Sequence, residues 1–192
     1  MWLASTHRRR GLTLIEVLIA SGIMSMVLLA TYSVLVLSMR YQRKQDDTVT
    51  IFQQAVIAGT KIQQSLANGA AGSVETDADG FAFVSALNPD ALFEHDETTG
   101  LLKWQKFVCF YRENDVLKVK EKSFAPTTDL PATPSVATLI ADPSATPRTV
   151  AENVTALQIL SADTSVEFFL TARSKAEAPN SVSVRNRVFL RQ

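Results

Sequence analysis

The chain has 192 residues, 46% of them hydrophobic, with 19 basic and 19 acidic side chains and one cysteine. This balance gives no electrostatic reason to expect a nucleic-acid polyanion as the default partner, and a single cysteine excludes an internal disulfide. One membrane-length segment is present, and the remainder suffices for a single domain of ordinary size.

The chain opens with a short leader that ends in Arg8-Arg9-Arg10 and runs into Gly11-Leu12-Thr13-Leu14-Ile15-Glu16-Val17. From Leu12 to Met39 the only charged residue is Glu16. As a helix rising ~1.5 Å per residue, the uncharged part from Val17 to Met39 covers ~35 Å, enough to cross a bilayer. Basic residues ahead of it favour a cytoplasmic N-terminus, a bias softened by Arg40, Arg43 and Lys44 on the far side. The run is longer than the apolar core of a cleavable secretory peptide. Paired arginines are common to many membrane segments and do not single out a twin-arginine signal.

A carboxylate inside such a run costs a few kcal/mol unless it lies at the interface or has a partner. One reading is an interfacial Glu16 in an uncleaved anchor. The other begins with a cut after Gly11, which places a new amine on Leu12 and the Glu16 carboxylate at one end of an apolar helix. Between staggered neighbouring chains the carboxylate of one then meets the amine of the next, and that pair fixes the stagger.

The stretch from Arg10 to Ala20, with its basic leader, Gly11, the Thr13-Leu14-Ile15-Glu16-Val17-Leu18 core and the uncharged helix behind it, resembles the prepilin leader and helix start of type IV pilins and type II secretion pseudopilins. The resemblance implies cleavage between Gly11 and Leu12 by a membrane aspartyl peptidase and methylation of the Leu12 amine. It gives Glu16 the role of neutralising a neighbour's N-terminus during assembly. It also implies a membrane and filament core built from Leu14, Ile15, Val17, Leu18, Ile19, Ile23, Val27 and Leu28. The implied partners are other pilins or pseudopilins, the prepilin peptidase and an inner-membrane assembly platform. Leu12 departs from the commoner Phe or Met at the first mature position.

Beyond Met39 the helix is expected to continue to Ala67, because the stretch holds one Gly and no Pro, with Asn68-Gly69 as the stop. Val49, Phe52, Val56, Gly59, Gln63 and Leu66 recur at spacings of three and four and are expected to face a packed partner, while Lys44, Asp47, Gln54 and Lys61 look outward. A break near Tyr41 into two separate helices is the alternative.

After Gly72 the pattern changes to strand-like runs: Phe81 to Val84, Leu101 to Tyr111, Val116 to Lys122, Val154 to Leu160, Ser165 to Arg173 and Val182 to Leu190. Arg112-Glu113-Asn114-Asp115 reads as a hairpin turn. The segment 125–148 carries five prolines and reads as an extended, exposed loop. Period-two alternation in the last two runs describes sheets with one wet face. The expected fold class is α+β, a long N-terminal helix packed on an antiparallel sheet. Its divisions are a leader at 1–11, a transmembrane and filament-core helix at 12–39, an amphipathic continuation at 40–68 and a β-rich periplasmic or extracellular domain at 69–192. The order of these strands and the terminal Val184-Arg185-Asn186-Arg187-Val188 resemble PilW-type minor pilins and J-type minor pseudopilins, which implies a place in a priming or tip complex.

No constellation for catalysis emerges. Cys109, in Phe107-Val108-Cys109-Phe110-Tyr111, reads as a small core hydrophobe, and the chain offers it only His7 and His95 as partners. Asp77-Ala78-Asp79-Gly80 and Glu94-His95-Asp96-Glu97 have oxygen donors for a structural calcium, but the twelve-residue spacing of a calcium loop is absent and Asp-Gly is ordinary turn chemistry. No cofactor is therefore expected, and the chain reads as non-enzymatic. Two rivals stand beside the subunit reading. One is a single-pass anchored periplasmic enzyme or binding protein. The other is a pilin-like scaffold that binds DNA or a surface through Arg173, Lys175, Arg185, Arg187 and Arg191.

Overall fold

A computed structural model of the chain describes residues 13–88, 90, 92–162, 164–174 and 180–191. It forms two compact units that divide between Asp46 and Asp47. One helix, α1 (Leu14–Leu66), supplies residues to both, and the helical assignment runs through Tyr41 without a break. No proline interrupts it. It closes where expected: the amides of Asn68 and Gly69 turn back to the carbonyls of Ser65 and Leu66, and Asn68 Nδ2 donates to the Gln64 carbonyl. These short bonds satisfy carbonyls that a helix end otherwise leaves open.

In the first unit none of the described residues, 13–46, is buried. The second unit is an α+β domain. Five antiparallel strands follow one another in chain order: β1 (Glu75–Asp77), β2 (Gly80–Ser85), β3 (Trp104–Glu113), β4 (Val116–Thr127) and β5 (Arg148–Glu152). A second antiparallel sheet holds β6 (Val154–Ala162), β7 (Ser165–Arg173) and β8 (Ser181–Phe189). The β3–β4 hairpin turns on Asn114 and Asp115, with φ of 51° and 60°. Two left-handed residues in succession match the twist of antiparallel strands, and Asn and Asp tolerate that backbone best after Gly. Asn153, with φ of 61°, is the corner between the sheets. Its carbonyl accepts the Arg173 amide, and the next amide, Val154, donates to Asp115.

The main core lies between the helix and both sheets. Ile51, Ala55, Ala58, Ile62 and Leu66 of α1 pack against Phe81, Phe83, Phe110 and Leu117 of one sheet and Val166, Phe168 and Leu170 of the other. Phe81 stacks on Phe83 and Phe110 with ring centroids 6.0 and 5.4 Å apart. Only two of the six residues of the expected inward stripe face inward. Gly59 and Leu66 do face inward, but Val49, Phe52 and Val56 are exposed, and Gln63 is exposed and accepts a hydrogen bond from Asn186 Nδ2 at 2.7 Å. The buried row lies elsewhere on the helix because two sheets crowd it and leave room for alanines at 55 and 58. At Gly59 a Cβ would already stand 3.2 Å from Val184 Cγ1.

The proline-rich segment also departs from expectation. Its start belongs to β4, its last residue begins β5, and between them lies a one-and-a-half-turn helix, α2 (Val136–Ala141), capped by Ser135 Oγ accepting the Thr138 amide. Val136 and Leu139 cover Ala82, Cys109 and Tyr111 on the sheet face turned away from α1. Lys120, nearly buried, donates to the Ile140 and Asp142 carbonyls at the C-terminal end of α2. A helix this short has too few turns to show a period, and the prolines that flank it dominate the local pattern.

Candidate functional site

The start of α1 is the most chemically specific place in the described chain. Thr13 and Glu16 form a reciprocal pair: the Glu16 amide donates to Thr13 Oγ1 at 3.3 Å, while Glu16 Oε2 accepts the Thr13 amide at 2.9 Å and the Thr13 hydroxyl at 3.0 Å. This is a capping box, and it satisfies two groups that the first turn leaves open. It also keeps the carboxylate at the positive end of the helix dipole. Among the described residues only Oε2 accepts a hydrogen bond. Sequence reasoning picked out Glu16 but missed Thr13 as its partner, although the Thr-x-x-Glu spacing was the available signal. Gly11 and Leu12, the expected cleavage site, lie outside the described residues.

Behind this turn the helix is apolar on every side. The expected core residues Leu14, Ile15, Val17, Leu18, Ile19, Ile23, Val27 and Leu28 are 53–84% exposed. An 18-residue window of α1 has a mean hydropathy of 2.1 with none of it buried, so the helix is long and apolar enough to span a bilayer. Four hydroxyl side chains within it are closed on their own backbone. Ser21, Ser25, Thr31 and Ser33 donate to the carbonyls of Leu18, Ser21, Val27 and Leu29. Each hydroxyl proton is thus satisfied without water, which suits surroundings that offer no hydrogen-bond partners.

The other sequence candidates are drawn into structural roles. Cys109 is buried, and burial pushes its thiol up to about 12, so it is protonated and inert at neutral pH. Asp79 pairs with Arg112 at 2.6 Å, and Asp96 caps its own loop by accepting the amides of Thr98 and Thr99. Among the described residues no three potential metal ligands converge. Of the C-terminal arginines, Arg185 and Arg187 share Glu167 at 2.6 and 3.6 Å, Arg185 also lies over the Phe169 ring, and Arg191 lies over Phe93. Lys175 is outside the described residues. One carboxylate and two rings engage three of these arginines, and Arg185 and Arg187 stay largely exposed.

A family model described as a prokaryotic N-terminal methylation motif matches residues 6–32, the span that contains the capped turn and the start of the apolar helix. The chain carries this motif. No curated protein and no solved structure matches the chain. Thr13 and Glu16, the two partners of the capped turn, both fall inside the matched span.

Proposed function

We propose that the protein is a minor pilin or pseudopilin, a non-catalytic structural subunit. Prepilin peptidase cuts it after Gly11 and the Leu12 amine is methylated. Residues 12–39 then hold it in the inner membrane with its N-terminus cytoplasmic and its β-rich domain periplasmic. From there the assembly platform draws it into a type IV pilus or a secretion pseudopilus, where it takes a place in the priming or tip complex. The observation that carries this reading is the capped Glu16 at the head of a helix in which no residue up to Asp46 is buried, inside a matched methylation motif. Such side chains need lipid before assembly and other helices after it, because leaving them in water would cost about 1.5–3 kcal/mol for each large residue. The charge logic is the same. The Glu16 carboxylate needs a cation in an otherwise apolar bundle, and a neighbour's methylated amine supplies one.

Mass spectrometry of the N-terminal peptide from membrane and sheared-surface fractions, with and without the prepilin peptidase, tests the proposal. The expected result is a mature chain that begins at methylated Leu12 and depends on the peptidase, and retention of Met1 to Gly11 in every fraction would refute it.

A further inference from the structure

Within the second unit, a polar cleft of about 370 Å³ opens between α1 and the strands β2, β3, β4 and β5. Three cations line it, Lys61 of α1, Lys106 of β3 and Arg148 of β5, against one anion, Glu121 of β4. Both oxygens of that carboxylate are already taken. Lys106 Nζ donates to Oε2 at 2.7 Å, and Arg148 Nη2 donates to Oε1. Burial pushes the Glu121 carboxyl up, but the hydrogen bond and charge of Lys106, followed by the charges of Arg148 and Lys61, more than offset it and hold the group below its ordinary value. The internal anion is therefore fully ionised and fully used, and the cleft keeps a surplus of two positive charges.

The wall formed by α1 is also open for bonding. Lys61, Gln64 and Ser65 stand at i, i+3 and i+4, which places them on one helix face. Among the described residues their side chains take no hydrogen-bond partner. Across the cleft, Arg148 has a half-exposed side chain and spends one terminal nitrogen on Glu121, leaving further N–H donors of its planar fork. That fork matches the two oxygens of a carboxylate, and Glu121 occupies only one of its nitrogens through one oxygen.

We propose that this cleft receives an acidic polypeptide segment, seating an aspartate or glutamate carboxylate between Lys61 and Arg148 with Gln64 and Ser65 donating beside it. The volume admits one or two side chains, and the donors run along the helix as successive side chains of a bound segment would. Choosing a polypeptide over a free anion rests on reading the chain as an assembly subunit. The site itself rests only on the cleft, so peptide binding and leader processing succeed or fail separately.

The test uses the full chain in detergent, with fluorescently labelled hexaglutamate as probe and hexaglutamine as control, read by anisotropy. Hexaglutamate is expected to bind, more weakly as salt rises, and hexaglutamine is not. Lys61→Gln removes an exposed side chain that makes no hydrogen bond among the described residues and touches Glu121 only through its charge, so the fold should stand; losing one charge-assisted contact should weaken binding about tenfold. Glu121→Gln raises the surplus from two charges to three and should tighten binding. No binding of hexaglutamate, or binding unchanged by Lys61→Gln, overturns the site. Displacement by citrate at equal carboxylate concentration overturns the choice of a polypeptide.

Discussion

Residues 14–46 and 47–66 belong to the same helix, yet they follow opposite rules. In the first stretch Leu, Ile, Val and Met occupy every face and none is buried. In the second, one face carries Ile51, Ala55, Ala58, Ile62 and Leu66, all within a closed core, and Val49, Phe52, Val56 and Ile57 are left exposed. The second stretch finds within its own chain the burial that makes it stable. The first stretch has to find it in lipid or in other chains. Mutations in the two stretches should therefore report on different things: on assembly in the first, on folding in the second.

The sharpest separation is expected from Glu16→Ala. If the carboxylate meets a neighbour's amine in an apolar bundle, removing it leaves a buried charge unpaired at a cost of about 3–5 kcal/mol, which is a loss of more than a hundredfold in assembly. Filament yield in sheared fractions should collapse while the membrane-bound amount and thermal unfolding of the β domain stay unchanged. Normal incorporation would remove the distinction between the stretches. Phe168→Ala reverses the pattern. It empties a fully buried site and should cost the β domain about 3–5 kcal/mol, read as a lower denaturation midpoint of the full chain. Ala55→Leu should destabilise by about 1–3 kcal/mol through overpacking, whereas Phe52→Ser, on the exposed face one turn away, should change stability by no more than about 0.5 kcal/mol. Equal effects would mean that the helix packs on a different face.

A smaller and graded effect is expected with acid. Hydrogen bonds from Lys122 and Ser144 hold the Asp142 carboxyl below its ordinary value, and a hydrogen bond from Arg185 does the same for Glu167. Groups with depressed values contribute stability that is complete above their unfolded values and is lost as pH falls through the folded ones. Denaturation midpoints should therefore hold near neutrality and decline once pH drops below about 4. A midpoint that rises with acidification would contradict these pairings. The smallest effect concerns Cys109: with its thiol near 12, alkylation at pH 8 should be negligible until denaturant opens the β domain.

Much of this was legible beforehand, for identifiable reasons. The membrane-length run, the odd carboxylate Glu16 and the strands from Ser165 onward announce themselves through composition and period-two alternation, and the Asn114-Asp115 turn through its residue types. The inward face of α1 did not, because pattern reading ranks side chains by size. Two sheets closing on the helix instead demanded small ones, Ala55, Ala58 and Gly59. The helix α2 was hidden by its prolines and its length, and with it the burial of Cys109 from a second side and the placement of Lys120. The cleft around Glu121 joins residues from five elements, so no local stretch of sequence could reveal it.

The bridge between Ala70 and Arg191 has a kinetic consequence. Two backbone bonds, Arg191 N–H to the Gly69 carbonyl and Ala71 N–H to the Arg191 carbonyl, join the chain just after α1 to its other end. They close a loop of roughly 120 residues, among the most entropically demanding contacts in the domain, so they should form after the local hairpins. A ribosome emits residue 191 long after residue 70. Until then the strands β2 to β7 can pair, but the seam beside Gly69 stays open, and the nascent domain remains partly folded.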